Sequence, residues 1–299
     1  MRRLSPDRLL QIGLGFRAAK TLLCAVELGV FTELGRGPRT APQLRRALAL
    51  DARATPDFLD ALVAMGVLDR EGDDAQAVYL NTREAGHFLD RRSPAYIGVV
   101  FENANARLYS LWGEFGRTLK GAPALSPDEP AAARSAGSAT GSAFSTEWQA
   151  LAEHFDFASQ RTLIGVDTSG APPFGVFALR HPQLDCKSAD AFGPWPRADV
   201  IVVAGALREA SLEGKLGLIR SAHTALPVGG LLIAIDPLID DARRHGLHAL
   251  LASLNARLET ADAFRFSGAD FDGWCRGAGF PRTEVIDLGA SVSAAVAHR

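Results

Sequence analysis

The 299-residue sequence predicts an α/β protein in two parts, a helical winged-helix front followed by a doubly wound sheet. Three observations carry that prediction. The N-terminal third repeats apolar residues at helical spacing and closes on one hairpin pattern. Short β-branched runs then recur at Thr162–Val166, Val200–Val203 and Leu231–Ile235, separated by stretches long enough for helices. Between the first run and its helix lies a turn-rich segment, as in the first βα unit of a ligand-binding sheet.

The front begins with a helix on which Leu9, Ile12, Leu14, Phe16, Ala19, Leu22, Leu23, Val26 and Leu28 recur near the helical period, and Gly29 ends it. Thr40 caps the next helix, with Pro42 in its first turn. Thr55 and Pro56 open another, striped by Leu59, Leu62, Val63 and Met65 and stopped at Gly66. "VLDREGDDAQAVYLNT" reads as a hairpin, completing a winged-helix unit. Residues 94–120 are helical and aromatic. Residues 121–143, rich in Ala, Ser, Gly and Pro, form a flexible loop. "STEWQALAEHFDFAS" resumes helix. The sheet gains a strand at Thr283–Leu288, a short one near Cys186, and an edge strand from "ASVSAAVAHR". The expected domains are 1–92, 93–160 and 161–299.

Composition narrows the function. At 47% hydrophobic and 22% charged residues the chain is globular. A net charge of −2 and the absence of a long basic run argue against a nucleic-acid surface. The helix a DNA-binding winged helix would insert, residues 55–65, carries Asp57 and Asp60 and no Lys or Arg. Cys24, Cys186 and Cys275 are scattered and odd in number, which suits a reducing cytoplasm. No apolar stretch is expected to reach membrane-spanning length, and no export signal is read. His245 and His248 lie three apart but lack a third metal ligand at suitable spacing.

The chain resembles the two-domain S-adenosylmethionine (SAM)-dependent O-methyltransferases that act on small molecules, including bacterial polyketides. The front carries the resemblance in "AAKTLLCAVELGVFTEL", "RATPDFLDALVAMGVLDREG" and "SPAYIGVVFENANARLYSLWGEF". The back carries it in "HTALPVGGLLIAIDPLIDDARR", "LLASLNARLET" and "SGADFDGWCRGAGF". It implies a front domain that dimerises, a substrate held between the domains, and a Rossmann-like methyltransferase sheet.

Several motif positions depart from what the resemblance implies. Its glycine turn, D-V-G-x-x-x-G, falls on Gly165, Asp167, Gly170 and Ala171, followed by Pro172 and Pro173, which have no N–H to offer a ligand. The strand that would end in a ribose-binding acid is expected to be missing, leaving the sheet truncated by one βα unit of roughly 25–30 residues. Asp190 still matches the motif that follows. The H-x-x-H-D-W run, whose second histidine is the family's base, reads here from Gly205 to Ala210, with Arg208 at the base position and Glu209 beside it. Arginine stays protonated and cannot accept a proton from a hydroxyl. Arg265 stands at a late polar position.

These departures predict a protein that does not bind SAM and runs a non-methylating reaction, such as cyclisation, isomerisation, decarboxylation or hydrolysis, on a small anionic substrate. Arg208, Glu209 and Arg265 would be its catalytic groups, in a cleft of net positive charge where Glu209 neutralises one guanidinium. Asn103, Trp112, His154 and Asn255 would contact substrate. The expected assembly is a homodimer. Two rivals stand beside this reading: a non-catalytic partner of a pathway protein, and a SAM-dependent O-methyltransferase with an atypical site.

Overall fold

A computed structural model describes residues 4–74, 76–122, 140–168, 172–191, 193–260, 262–289 and 292–299. The chain forms two compact units, Met1–Ser110 and Leu111–Arg299. Residues 93–110 therefore belong with the front and 111–160 with the sheet.

In the first unit, helices α1 (Asp7–Leu14), α2 (Phe16–Glu27), α3 (Val30–Leu34), α4 (Ala41–Ala47) and α5 (Thr55–Ala64) precede a small wing. The wing is three antiparallel strands, β1 (Arg39–Thr40), β2 (Leu68–Glu71) and β3 (Val78–Asn81), in the order β1-β3-β2. Val30, Phe31, Leu44, Leu59 and Leu62 form the core where these helices meet. Thr40 and Gln43 make a capping box at the start of α4. Asp60, on the acidic helix α5, accepts from Tyr79 Oη at 2.7 Å and from Arg70 at 3.2 Å, so that charge is spent on the wing. Helices α6 (Arg83–Phe88) and α7 (Gly98–Asn103) and a π-helical turn, Ala104–Leu108, complete the unit.

One expectation about the front needs correction. The stretch Asp7–Glu27 is long and apolar enough to cross a membrane by length and composition. Between Leu9 and Val26 its charges are only Arg17 and Lys20. It is built as two helices meeting at Gly15, and α1 buries none of its residues.

The second unit starts through α8 (Tyr109–Gly113) and α9 (Phe115–Leu119), then α10 (Thr140–His154). Its sheet has six strands in the order β5-β4-β6-β7-β9-β8. β4 (Thr162–Asp167), β5 (Asp185–Ser188), β6 (Val200–Ala204) and β7 (Leu231–Asp236) are parallel; β9 (Val292–His298) and β8 (Arg282–Gly289) complete it antiparallel. β6 and β7 are buried at every residue, as central parallel strands covered on both faces should be. Ile201, Val203, Leu232 and Ala234 face α13 (Leu212–Ala225) and, after α14 (Leu247–Glu259) in the chain, α15 (Gly268–Gly277). Val200, Val202, Ile233 and Ile235 face Trp148 and Leu151 of α10 and Phe177 of α11 (Gly175–Arg180).

Two strand expectations change. The C-terminal run is not an edge: β9 lies between β7 and β8, and β8 takes the edge. Burial explains the exchange, since β9 is mostly buried and β8 mostly exposed. The strand next to β4 is present as well. β5 pairs with β4 in parallel, Thr162 opposite Asp185 through Gly165 opposite Ser188, and Asp190 follows its end by two residues. What is short is the return to β6, residues 189–199, where no helix is found among the described residues.

The prolines after β4 have a packing role. A Cβ on Gly165 would meet Pro172 Cγ and Phe174 Cζ, each at 2.8 Å. The missing side chain at 165 is thus the space into which Pro172 and Phe174 fold. Gly170, Ala171 and most of the predicted loop 121–143 lie outside the described residues; the last four of that loop open α10.

The turn after β6 depends on Gly205, which has φ +79°. A side chain there would be strained, and its Cβ would lie 2.7 Å from Thr168 Oγ1 and 3.0 Å from Arg208 Nη2. Gly205→Ala is expected to cost about 1–3 kcal/mol. Gly217→Ala, inside α13 where an added Cβ meets nothing within 4 Å, is expected to be neutral or to stabilise by up to about 1 kcal/mol. Chemical denaturation of the two variants checks the contrast.

Candidate active site

The strand order reverses between β4 and β6, because the chain leaves β4 for β5 on one side and returns to β6 on the other. Parallel sheets bind ligands at the carboxyl ends of the strands beside such a switch point. Here those ends carry Asp167 and Thr168 after β4, Gly205 to Glu209 after β6, and Asp236 at the end of β7.

Asp236 is the centre of this edge and is almost wholly buried. Arg208, on the short helix α12 (Ala206–Glu209), donates from Nη1 to Asp236 Oδ1 at 2.9 Å. Arg265 Nη1 lies 3.7 Å from the same oxygen. Arg265 is held on a segment that Ile239 N–H ties down through the Phe266 carbonyl at 3.0 Å. Burial and the neighbouring Arg208 bring its guanidinium down to about 10. Lys215 of α13 is fully buried, hydrogen-bonds the Ala210 carbonyl, and sits 3.8 Å from the centre of the Phe264 ring. Burial lowers its ammonium to about 8.

A fourth element reaches the same place. On α10, Trp148 is fully buried and donates from Nε1 to Asp167 Oδ2 at 3.0 Å. Phe174 and Phe177 meet its ring edge-on. The preceding residue, Glu147, interacts with the charges of Arg208, Asp236, Asp167 and Arg265. Burial pushes its carboxyl up to about 7, against the pull of the two arginines. Three of these residues have buried polar atoms with no hydrogen-bond partner among the described residues: Glu147 Oε2, Asp236 Oδ2, and Arg265 Nε and Nη1. Buried polar groups without partners are costly, and a site that keeps several together is ready to bind a polar ligand.

The sequence reading placed Arg208, Glu209 and Arg265 together, and the structure brings all three to this edge. Its charge account changes. Asp236 takes the direct hydrogen bond from Arg208, while Glu209 sets its charge against both Arg208 and Arg265, so the expected net positive cleft is a mixed cluster of cations and carboxylates. Glu209 stands at the rim, exposed as a residue, but its carboxyl is drawn inward: desolvation raises it above the ordinary range against the pull of Arg208 and a hydrogen bond with Thr168. Trp112 and Asn255 are brought together as each other's partner, Nε1 to Oδ1 at 2.9 Å, with Asn255 also donating to Glu259. His154 is exposed in the last turn of α10 and bonds the Ala150 carbonyl of its own helix. Asn103 ends α7 in the first unit. Asp190 is exposed beyond β5. Among the described residues no cluster of His, Cys, Asp and Glu could hold a metal.

Asp236, Glu147 and Lys215 were missed. Asp236 was legible as the acid ending the apolar run "LLIAID". Glu147 had a fainter signal: it lies four residues before Leu151, on the apolar stripe of its helix.

Comparison with known proteins bears on what this edge holds. A family model described as "O-methyltransferase dimerisation domain" matches residues 10–91. The tetracenomycin polyketide synthesis 8-O-methyl transferase TcmO of Streptomyces glaucescens is 30% identical, over 92% of this chain and 91% of that protein. The N,N-dimethyltransferase OxyT of Streptomyces rimosus is 28% identical, over 91% and 90%. Human N-acetylserotonin methyltransferase in complex with SAM superposes with a TM-score of 0.83 at 21% identity, covering 100% and 99%. PigF with SAH gives 0.86 at 20%, covering 99% and 100%. Fold neighbours holding SAM or SAH, together with methyltransferase relatives that match nearly end to end, overturn the expectation of a chain without that cofactor. The motif departures are changes within the family's frame. With a 30%-identical relative matched along nearly its whole length, the chain belongs to the two-domain SAM-dependent O-methyltransferase family of natural-product biosynthesis.

Proposed function

We propose that the protein transfers a methyl group from SAM to a hydroxyl of a small, polyketide-like aromatic molecule. The observation that carries this reading is the match to TcmO over nearly the whole of both chains. The residues at the switch point fit a polar cofactor, because Asp236 Oδ2 and Glu147 Oε2 are buried there with no hydrogen-bond partner among the described residues, and Thr168 sets a buried hydroxyl beside Asp167. Asp167 and Thr168, with Asp190 past β5, would hold SAM, which supplies an electrophilic methyl group on a sulfonium. Arg265, whose buried Nε and Nη1 make no hydrogen bond among the described residues, would hold a substrate oxyanion or carbonyl through charge-assisted hydrogen bonds. Arg208 orients this arrangement by fixing Asp236.

The dimerisation-domain match supports a homodimer through the first unit. So does the apolar surface of its first helices, where Leu9, Ile12 and Phe16 are exposed. Three free cysteines support a reducing compartment, the cytoplasm.

Calorimetry with SAM is expected to give a dissociation constant in the micromolar range. Label from methyl-labelled SAM is expected to move to a hydroxyl of a phenolic polyketide-like acceptor. No heat on titration and no labelled product across a panel of such acceptors would refute the reading. Light scattering at micromolar protein is expected to give the dimer mass; a monomer mass would remove the assembly.

A further inference from the structure

We propose that Glu147 is the group that accepts the substrate's proton, the task a histidine would perform at position 208. The inference rests on the methyl-transfer reading above. It begins from a vacancy in the chemistry: a neutral hydroxyl is a poor nucleophile, and the residue at the base position is an arginine that cannot take its proton.

Placement singles out Glu147. Its neighbour Trp148 is fully buried and bonded to Asp167, which fixes this turn of α10 against the end of β4. From this turn the Glu147 carboxylate interacts with the charges at the carboxyl edge of the sheet: Asp167 of β4, Arg208 of α12, Asp236 of β7, and Arg265. Its Oε2 is buried and makes no hydrogen bond to the described residues. An acceptor held in that state lacks one donor, and a substrate hydroxyl supplies it.

The other candidates are engaged elsewhere. Lys215 is held by the Ala210 carbonyl and the Phe264 ring. His154 is exposed and bonded within its own helix. Asp236 carries Arg208. Glu209, at the rim, is engaged by the Thr168 side chain and the charge of Arg208.

The step balances. The substrate O–H bond breaks and its proton passes to Glu147 Oε2. The freed electron pair forms the new oxygen–carbon bond as the methyl group leaves the sulfonium donor, with its former bonding pair left on sulfur. Electrostatics suits the role. Burial, Asp236 and Asp167 raise the carboxyl and Arg208 and Arg265 lower it, leaving it near 7, where a base is part ionised yet still basic. The rate should therefore rise with pH through about 7.

The test uses the full-length protein and Glu147→Gln and Glu147→Asp. The acceptors are 2-naphthol, a weak acid, and 4-nitrophenol, which ionises unaided at pH 8. For 2-naphthol, Glu147→Gln is expected to lose about 100-fold or more in kcat with KM changed little. The loss should shrink for 4-nitrophenol, and Glu147→Asp should recover part of it. Without SAM, the absorbance of bound 4-nitrophenol reports its ionisation, and its pH midpoint should differ between wild type and Glu147→Gln.

Folding supplies a control. A carboxyl raised in the folded state opposes folding once the pH exceeds its ordinary value, and that penalty grows until about pH 7. Glu147→Gln should thus melt higher than wild type at pH 8 and equally at pH 4. A Glu147→Gln protein that keeps the wild-type rate and pH profile overturns the proposal alone. So does an equal loss with both phenols and an unchanged nitrophenol midpoint. A wild type that binds no SAM and methylates neither phenol overturns the methyl-transfer reading as well.

Discussion

The candidate site depends on one buried carboxylate. Asp236 ends β7, a strand buried at every residue, where an unpaired charge would cost several kcal/mol. Arg208 meets it at 2.9 Å and Arg265 approaches the same oxygen at 3.7 Å. That shared partner lets two guanidinium groups lie close together in the interior. It also removes Arg208 from proton chemistry and leaves Arg265 with donors that make no hydrogen bond among the described residues. The turn at Gly205 follows from the same contact, since any side chain there would crowd Arg208 and Thr168.

Around this pair the sheet edge divides its work. The end of β4 offers Asp167 and Thr168 beside the switch point. The α10 helix brings Trp148 and Glu147 from the opposite face. One aromatic anchor thus sets both a cofactor-side acid, Asp167, and the residue next to it in sequence, Glu147. The packing of Pro172 and Phe174 over Gly165 belongs to the same construction. Those changes look like motif loss when read as letters, yet in space they are a steric exchange.

Much of the fold was legible because the signals were strong. The β-branched runs of β4, β6 and β7 are central strands, as continuous apolar segments should be. The wing and the capping box at Thr40 follow from Thr, Pro and Gly at helix ends. The placement of β9 was not legible, because a small apolar run such as "SAAVA" serves an edge or a centre equally until its neighbour's polarity is compared. The site was only half legible. Arg208 and Arg265 stand out by position. Their common partner lies 28 residues from one and 29 from the other in sequence, and Glu147 is 61 residues from Arg208. No local pattern links such distant groups. The inference of a lost cofactor failed for a related reason, since it judged each motif position alone and not the edge they build together.

The measurement closest to the central claim is a double-mutant cycle on Arg208 and Asp236, read by chemical denaturation at pH 7. The cycle uses Arg208→Met, Asp236→Leu and the pair. If the buried pair organises the edge, each single change leaves a buried charge without its main partner and costs about 3–5 kcal/mol. The double variant should then cost less than the two single changes added together, the difference being a coupling of about 2–3 kcal/mol. Single costs that simply add, with no coupling, would contradict the account.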